Sequence, residues 1–116
     1  MDKKWLSPPP AGSLIGYADG VLTVPDDPII PYIEGDGVGV DVTPAMKRVL
    51  DAGVSRAYGD GRSLRWWQLA AGELAHETFG EWLPDDTIEA IRAYRVAIKG
   101  PMTTPVGEGI RSLNVT

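Results

Sequence analysis

Short apolar runs alternate with longer segments of helical period along most of the chain. Two β-type runs, LIGYA and VLTV, flank Asp19-Gly20, a dipeptide typical of a two-residue hairpin turn. Because an isolated hairpin is only marginally stable in water, we expect it to pack against another element. Three further apolar runs predict strands at residues 29–33, 64–70 and 96–98.

Two helices are predicted between these strands. After the first strand, Thr43-Pro44 has the residue types of an N-cap and a first helical position. Pro84 begins the second helix, with Asp85 and Asp86 in the first turn, where the helix dipole favours carboxylates. The residues predicted to face inward are Val42, Met46, Val49 or Leu50, Gly53 and Ala57 in the first helix, and Ile88, Ile91 and Tyr94 in the second.

The order of elements is a hairpin followed by β-α-β-α-β, which predicts an α/β fold with parallel strands and right-handed crossovers. Pro31 has no N–H for a ladder, so its strand is predicted to be short or at an edge of the sheet. Trp66 and Trp67 point to opposite faces of their strand, which indicates cover on both. Two helices are too few to cover both faces of such a sheet, so we expect residues 13–116 to form an incomplete domain. Residues 1–12, which precede it, are predicted to be a proline-rich arm.

Composition narrows the classes of function. The net charge is −5 and no long basic run is present, which argues against a sequence-independent grip on nucleic acid. The absence of cysteine excludes disulfides and thiolate chemistry. No stretch approaches the roughly 18 apolar residues of a membrane span, and the first residues lack the apolar core of a signal peptide. We therefore expect a cytoplasmic protein that binds neither nucleic acid nor membrane.

The glycine-rich turn Gly35-Asp36-Gly37-Val38-Gly39 follows the first strand of the predicted sheet. Its spacing is G-x-G-x-G, whereas the dinucleotide-binding fingerprint is G-x-G-x-x-G. Glu34 and Asp36 would also repel a pyrophosphate. The turn is therefore interpreted as a tight strand-to-helix connection that needs positive φ angles, while a role of its backbone in a site stays open.

Polar residues gather after the last predicted strand, where open α/β sheets place their ligand sites. Thr103, Thr104, Ser112 and Asn114 could seat a carboxylate or phosphate, or could form a capping loop without a ligand. Residues 71–82 are predicted to be an irregular connector. They carry His76, for which the sequence offers no partner at metal-binding or catalytic spacing.

Two segments resemble a known family. PIIPYIEGDGVGVDVTPAM (28–46) and YRVAIKGPMTTPVGEGIRSLNV (94–115) are similar to the N-terminal part of the isocitrate dehydrogenases of the NADP type, within the isocitrate/isopropylmalate dehydrogenase family. The resemblance implies that family's own α/β fold and homodimers. It also implies oxidative decarboxylation of isocitrate to 2-oxoglutarate, a reaction of the tricarboxylic acid cycle at the branch to the glyoxylate bypass, with NADP and Mg²⁺ or Mn²⁺.

The same resemblance assigns roles to four residues of this chain. Thr103 matches a threonine that contacts the nicotinamide end of NADP, and Val38 matches a position beside the cofactor. Ser112 and Asn114 match residues that bind isocitrate, and Ser112 also matches a serine that some bacteria phosphorylate to inactivate the enzyme. A phosphate there would occupy the anion site and repel the substrate. Glu108 departs from the family, which usually has glycine there.

The family's catalytic tyrosine and lysine, its further substrate-binding arginines and its metal-binding aspartates have no counterpart in this chain. We therefore expect no catalytic residue here, and no activity or lasting stability of the chain by itself. Two other functions stay open. The chain could belong to another hydroxyacid dehydrogenase of the same fold, acting on isopropylmalate, homoisocitrate or tartrate. It could also be a non-catalytic module that binds anions or pairs with a full-length subunit.

Overall fold

In the computed structural model, which describes residues 9, 11–104 and 112–116, helices flank a parallel sheet and a separate hairpin precedes it. Gly59–Gly61 form a short 3-10 helix after the first helix. The other elements, in chain order, are β1 (Gly16–Ala18), β2 (Val21–Thr23), β3 (Ile29–Ile33), α1 (Gly39–Tyr58), β4 (Arg65–Gln68), α2 (Glu73–Phe79), α3 (Asp85–Tyr94) and β5 (Ile98–Lys99). Most of the predicted proline-rich arm lies outside the described residues.

The hairpin forms as predicted. β1 pairs antiparallel with β2, and the two turn residues Asp19 and Gly20 have φ angles of 52° and 77°. Positive φ at both positions is what the favoured two-residue hairpin turn requires. The expected packing against the rest of the chain is seen only in part: Ile15, just before β1, is buried, whereas most of the hairpin is exposed. Tyr17 and Val21 are both more than half exposed, although the Arg95 guanidinium lies 5.8 Å from the Tyr17 ring centroid.

The sheet has the strand order β4-β3-β5, with β3 parallel to both neighbours. Pro31 was predicted to make its strand short or an edge strand; β3 has five residues and is fully buried and central, so the edge alternative is wrong. Hydrogen-bonding groups alternate sides along a strand, and the Ile33 carbonyl accepts the Gly100 N–H on the β5 side. Pro31, two residues earlier, faces the same side. The β5 ladder begins only at Tyr32, so the missing N–H of Pro31 faces a position before that ladder starts.

Helix α1 begins at Gly39, four residues before the predicted N-cap. The Gly39 N–H donates to the Asp36 carbonyl and the Val42 N–H donates to the Val38 carbonyl, so helical bonding starts directly in the glycine turn. Thr43 is therefore inside the helix and buried. Its hydroxyl donates to the Glu34 carbonyl at 2.6 Å, which ties α1 to the end of β3.

The inner face of α1 also differs from the prediction. Val42 and Val49 are 54% and 70% exposed, whereas Thr43 is buried and Lys47 is half-buried; Met46, which was predicted to face inward, is half-buried as well. The apolar pattern predicted the wrong inner face because it left out Lys47. Its ammonium lies 4.5 Å from the Tyr32 ring centroid and donates to the Tyr32 hydroxyl at 3.2 Å, so a charged residue takes an inward position.

Helix α2 occupies residues that were predicted to be an irregular connector. The sequence shows no side-chain cap before Glu73, and none is present locally. The helix ends at Phe79 and is capped by Gly80, whose φ of 78° is left-handed and whose N–H donates to the His76 carbonyl. Helix α3 begins directly after Pro84, with Asp85 and Asp86 in its first turn, as predicted.

The core lies between the sheet and α3. The two tryptophans of β4 face opposite sides, as predicted. Trp67 packs on Tyr94 of α3, with ring centroids 4.9 Å apart, while Trp66 donates to Asp51 of α1 at 2.9 Å. The core residues on the α3 side are Ile29, Ile33, Trp67, Leu69, Ala71 and Ala90. Among the described residues, no helix combines the length and apolar character that a membrane crossing requires.

Candidate functional site

The segments that follow β3, β4 and β5 meet at the carboxyl end of the sheet. The backbones of two of these segments approach so closely that only glycine fits. A side chain on Gly35 would overlap the Pro101 carbonyl, and one on Gly100 would overlap the Glu34 carbonyl. The glycine turn after β3 is therefore held against the segment after β5, and the two form one wall of the candidate site.

Asp36 lies at the centre of this meeting point and is only 6% exposed. One carboxylate oxygen accepts the Glu73 N–H at 3.0 Å, and the other accepts the Thr103 N–H at 2.9 Å. Its own N–H donates to the Pro101 carbonyl at 2.7 Å. The carboxylate therefore points inward at backbone donors, and the sequence analysis missed this role. An aspartate between two glycines at a strand end is the signal that indicates it.

Thr103 and Val38 lie on either side of Asp36. The Thr103 N–H is bound by the Asp36 carboxylate, while the residue as a whole is exposed. Val38 stands two residues after Asp36, at the start of α1, and is exposed as well. The two residues that the resemblance assigns to the cofactor thus belong to segments joined by one side chain.

Asn114 returns to the end of β5. Its side-chain oxygen accepts a hydrogen bond from the Lys99 ammonium at 2.5 Å, and its side-chain nitrogen donates to the Met102 carbonyl at 3.2 Å. Lys99 also donates to the Gly100 carbonyl at 2.9 Å. In an acidic chain the sequence already indicates Lys99 as a local donor to an anionic substrate, but it does not predict the bond between Lys99 and Asn114.

Ser112 begins a short turn at the end of the described chain. Its carbonyl accepts the N–H groups of Val115 and Thr116, at 3.1 and 3.3 Å. Ser112 and Asn114 are therefore in one turn that Lys99 fastens to β5. Glu108, whose charge departs from the family pattern, lies outside the described residues.

Acidic side chains line the open pocket between the glycine turn and α2: Glu34, Asp36, Glu73 and Glu77. They do not converge on a point. No group of three or more histidine, cysteine, aspartate or glutamate side chains within the described part of the chain is placed to hold a metal ion. His76 lies exposed on α2, where its ring stacks on Trp82 with centroids 4.2 Å apart. A divalent metal therefore has no fitting ligand set among these residues.

The sequence profile of isocitrate/isopropylmalate dehydrogenase matches residues 29–116, which include both the sheet and the loops of the site. The chain belongs to this family. The family assignment and the α/β fold predicted from the sequence are thereby confirmed. The individual roles of Val38, Thr103, Ser112 and Asn114 remain predictions.

Three similar proteins are named as isocitrate dehydrogenases. The isocitrate dehydrogenase (NADP) of Archaeoglobus fulgidus is 54% identical over 116 residues, which is 100% of this chain and 27% of that protein. The enzyme of the same name from Coxiella burnetii is 56% identical over 109 residues, or 92% of this chain and 26% of that protein. A crystal structure of isocitrate dehydrogenase from Methylococcus capsulatus superimposes with a TM-score of 0.65 and 43% identity, covering 76% of this chain and 24% of that one. The chain thus spans about a quarter of the length of these family members.

Proposed function

We propose that this chain supplies one wall of the active site of an NADP-dependent isocitrate dehydrogenase, where it contacts the nicotinamide end of NADP and one side of isocitrate. The observation that carries the proposal is the 54% identity over all 116 residues to the Archaeoglobus fulgidus protein, whose name gives both substrate and cofactor. The convergence of three strand ends on the predicted site residues supports it, because this edge is where α/β sheets bind ligands.

On the cofactor side, Thr103 and Val38 meet the nicotinamide end of NADP. Thr103 is suited to this because its backbone is fixed by Asp36 while the residue itself is exposed. Val38 contributes an exposed apolar surface at the start of α1. A flat aromatic ring needs such contacts to be held in one orientation, since hydride transfer depends on a fixed distance between donor and acceptor carbons.

On the substrate side, Ser112 and Asn114 bind the carboxylates of isocitrate. A hydroxyl and an amide are suitable donors for carboxylate oxygens. Lys99 adds a positive charge next to Asn114 in a chain whose net charge is −5. This local charge offsets the repulsion that an anionic chain exerts on a tricarboxylate substrate.

Oxidation of the isocitrate alcohol moves a hydride from the hydroxyl-bearing carbon to oxidised NADP and releases the hydroxyl proton. The resulting keto acid then loses CO₂, and a proton takes its place on carbon. In the family a divalent metal, Mg²⁺ or Mn²⁺, assists this loss. The described residues do not fit such an ion, so its ligands must come from polypeptide outside them. By the same family likeness we propose that the full-length enzyme is a cytoplasmic homodimer of the tricarboxylic acid cycle, at the branch to the glyoxylate bypass.

The proposal is tested with two polypeptides, the 116-residue chain and a chimaera. In the chimaera, these residues replace the matching 27% of the Archaeoglobus fulgidus enzyme. NADPH formation is followed spectrophotometrically with isocitrate, NADP and Mg²⁺, and with isopropylmalate, homoisocitrate or tartrate in place of isocitrate. We expect the chimaera to reduce NADP with isocitrate and the chain alone to be inactive.

Two results would overturn the proposal. A folded chimaera that prefers isopropylmalate, homoisocitrate or tartrate to isocitrate would refute the substrate assignment. NADP reduction by the 116-residue chain alone, at a rate that tracks its concentration, would refute the claim that it supplies only one wall.

A further inference from the structure

Asp36 joins three segments of the chain through one buried carboxylate. Its oxygens accept N–H groups from Glu73, 37 residues away, and from Thr103, 67 residues away. Burying a carboxylate is costly unless its oxygens are hydrogen-bonded, and these two N–H groups provide that compensation. The link is therefore a specific feature of the fold rather than an incidental contact.

The chemistry of the link requires a carboxylate. An ionised carboxyl group accepts on both oxygens, whereas an asparagine amide accepts on one atom and donates on the other. Asparagine at this position would turn its NH₂ group towards either Glu73 N–H or Thr103 N–H, so one of the two bonds would be lost. Asp36→Asn keeps the size and shape of the side chain but removes one acceptor. It therefore tests the two hydrogen bonds without changing the packing.

Gly72 makes room for this carboxylate. A Cβ atom on Gly72 would lie 2.6 and 2.7 Å from the two Asp36 carboxylate oxygens, which is too close for any real contact. Gly72 also has a φ of 71°, a conformation that favours glycine. Glycine at position 72 thus leaves the space that the Asp36 side chain occupies, although the two residues are in different loops.

We propose that Asp36 is a positioning residue that sets the place of Thr103 and thereby the contact of this chain with the nicotinamide end of NADP. The inference rests on the proposed function, because it needs Thr103 to meet the cofactor. Asn114 contacts the same peptide group as Asp36, through the Met102 carbonyl, but its side-chain oxygen is held independently by Lys99 of β5. Loss of the Asp36 link is therefore expected to weaken the use of NADP more than the use of isocitrate.

The test is Asp36→Asn in the chimaera, with separate KM values for NADP and isocitrate. We expect the KM for NADP to rise about tenfold, the effect of one lost charge-assisted hydrogen bond, while the KM for isocitrate changes by less than about twofold. Asp86→Asn is the matched control, because Asp86 is 7% exposed but lies at the start of α3 and lines no part of the site. Its two KM values should stay unchanged even if it lowers stability.

Amide hydrogen exchange gives a second measurement that does not depend on activity. In the wild-type chimaera, the Thr103 and Glu73 amides should exchange slowly. In Asp36→Asn at least one of them should exchange faster, while the Gly100 amide, bound to the Ile33 carbonyl at 2.8 Å, should not change. Gly72→Ala displaces the carboxylate without removing its charge and should give the same pattern.

The outcomes separate the positioning role of Asp36 from the proposed function of the chain. Equal changes in both KM values, or a loss of kcat with both KM values unchanged, would mean that Asp36 only supports folding and would overturn the inference. Fast exchange of the Thr103 amide in the wild type would overturn it as well. A wild-type chimaera that folds, protects the Thr103 amide and yet reduces no NADP would refute the proposed function while leaving the Asp36 link intact.

Discussion

Lys99 shows how a single residue sets the geometry of the predicted substrate side. Its ammonium donates to the Asn114 side chain and to the Gly100 carbonyl, so one charge fixes a turn to the end of β5. The sequence pattern does not predict the contact between Lys99 and Asn114, because the two residues are 15 positions apart in the chain. Thr103 and Asn114, predicted from their position after a strand, lie at the carboxyl end of the sheet. The bonds of the Asp36 carboxylate and the bond from Lys99 to Asn114 are long-range contacts, and the sequence predicted neither.

Replacing Lys99 tests this arrangement. We expect Lys99→Gln in the chimaera to lower kcat/KM for isocitrate by about tenfold to a hundredfold, because a charge-assisted hydrogen bond and the local positive charge are both lost. Arg48→Gln removes the same charge from an exposed position of α1 and should change kcat/KM by less than about twofold. Steady-state kinetics with varied isocitrate measures both. Equal effects of the two substitutions would show that only net charge matters.

Ser112 offers a second test at the same scale. We expect Ser112→Asp in the chimaera to lower kcat/KM for isocitrate by roughly a hundredfold or more, because a fixed carboxylate would repel the substrate carboxylates. Ser112→Ala removes only a hydroxyl and should lose less, about tenfold. Ser55→Asp, on the exposed surface of α1, is the control for added charge. If Ser112→Asp and Ser55→Asp had equal activity, Ser112 would not be part of the substrate site.

Helices and strands were predicted best where local residues decide them. The hairpin follows from Asp19-Gly20, and α3 follows from Pro84 and the acidic residues behind it. The prediction failed where the deciding contact comes from elsewhere. Helix α2 has no local side-chain cap, and its first N–H is bound by Asp36 from another loop. In α1 the helical period was right but the phase was wrong, because Lys47 lies over Tyr32 and the valines face outward.

Thr87 connects α3 to the end of β4 and carries a prediction at the scale of elements. It is fully buried, and its hydroxyl donates to the Ala70 carbonyl at 2.6 Å. Thr87→Val keeps the shape but leaves that carbonyl without this donor, so we expect the chimaera to lose about 1–3 kcal/mol of unfolding free energy. Thr78→Val, at an exposed position of α2, should cost less than about 0.5 kcal/mol. Urea denaturation measures both, and equal losses would show that the Ala70 bond is not significant.

At the scale of the whole molecule, apolar surface is left uncovered among the described residues. The valines on the outer side of α1, both faces of the hairpin and the outer edges of β4 and β5 face solvent. Exposed apolar faces and unpaired strand edges favour association. The sequence predicted this shortage of cover from the count of helices, although it did not show which face of α1 would be left open.

The 116-residue chain alone is therefore expected to be weakly stable and to self-associate, and the outer face of α1 gives a way to test the cause. We expect Val49→Lys to reduce association of the isolated chain, since Val49 is 70% exposed there and its replacement costs no buried contact. We expect the rest of the polypeptide to cover that face in the chimaera, where the same change should therefore lower the melting temperature by several degrees, about the effect of a 1–2 kcal/mol loss. Ser55→Lys adds the same charge at another exposed position of α1 and should do neither. Sedimentation velocity measures the association, and thermal melts measure the change in melting temperature.

An isolated chain that is monomeric and melts as cooperatively as the chimaera would contradict the expectation of weak stability. It would show that these 116 residues bury enough surface to fold on their own.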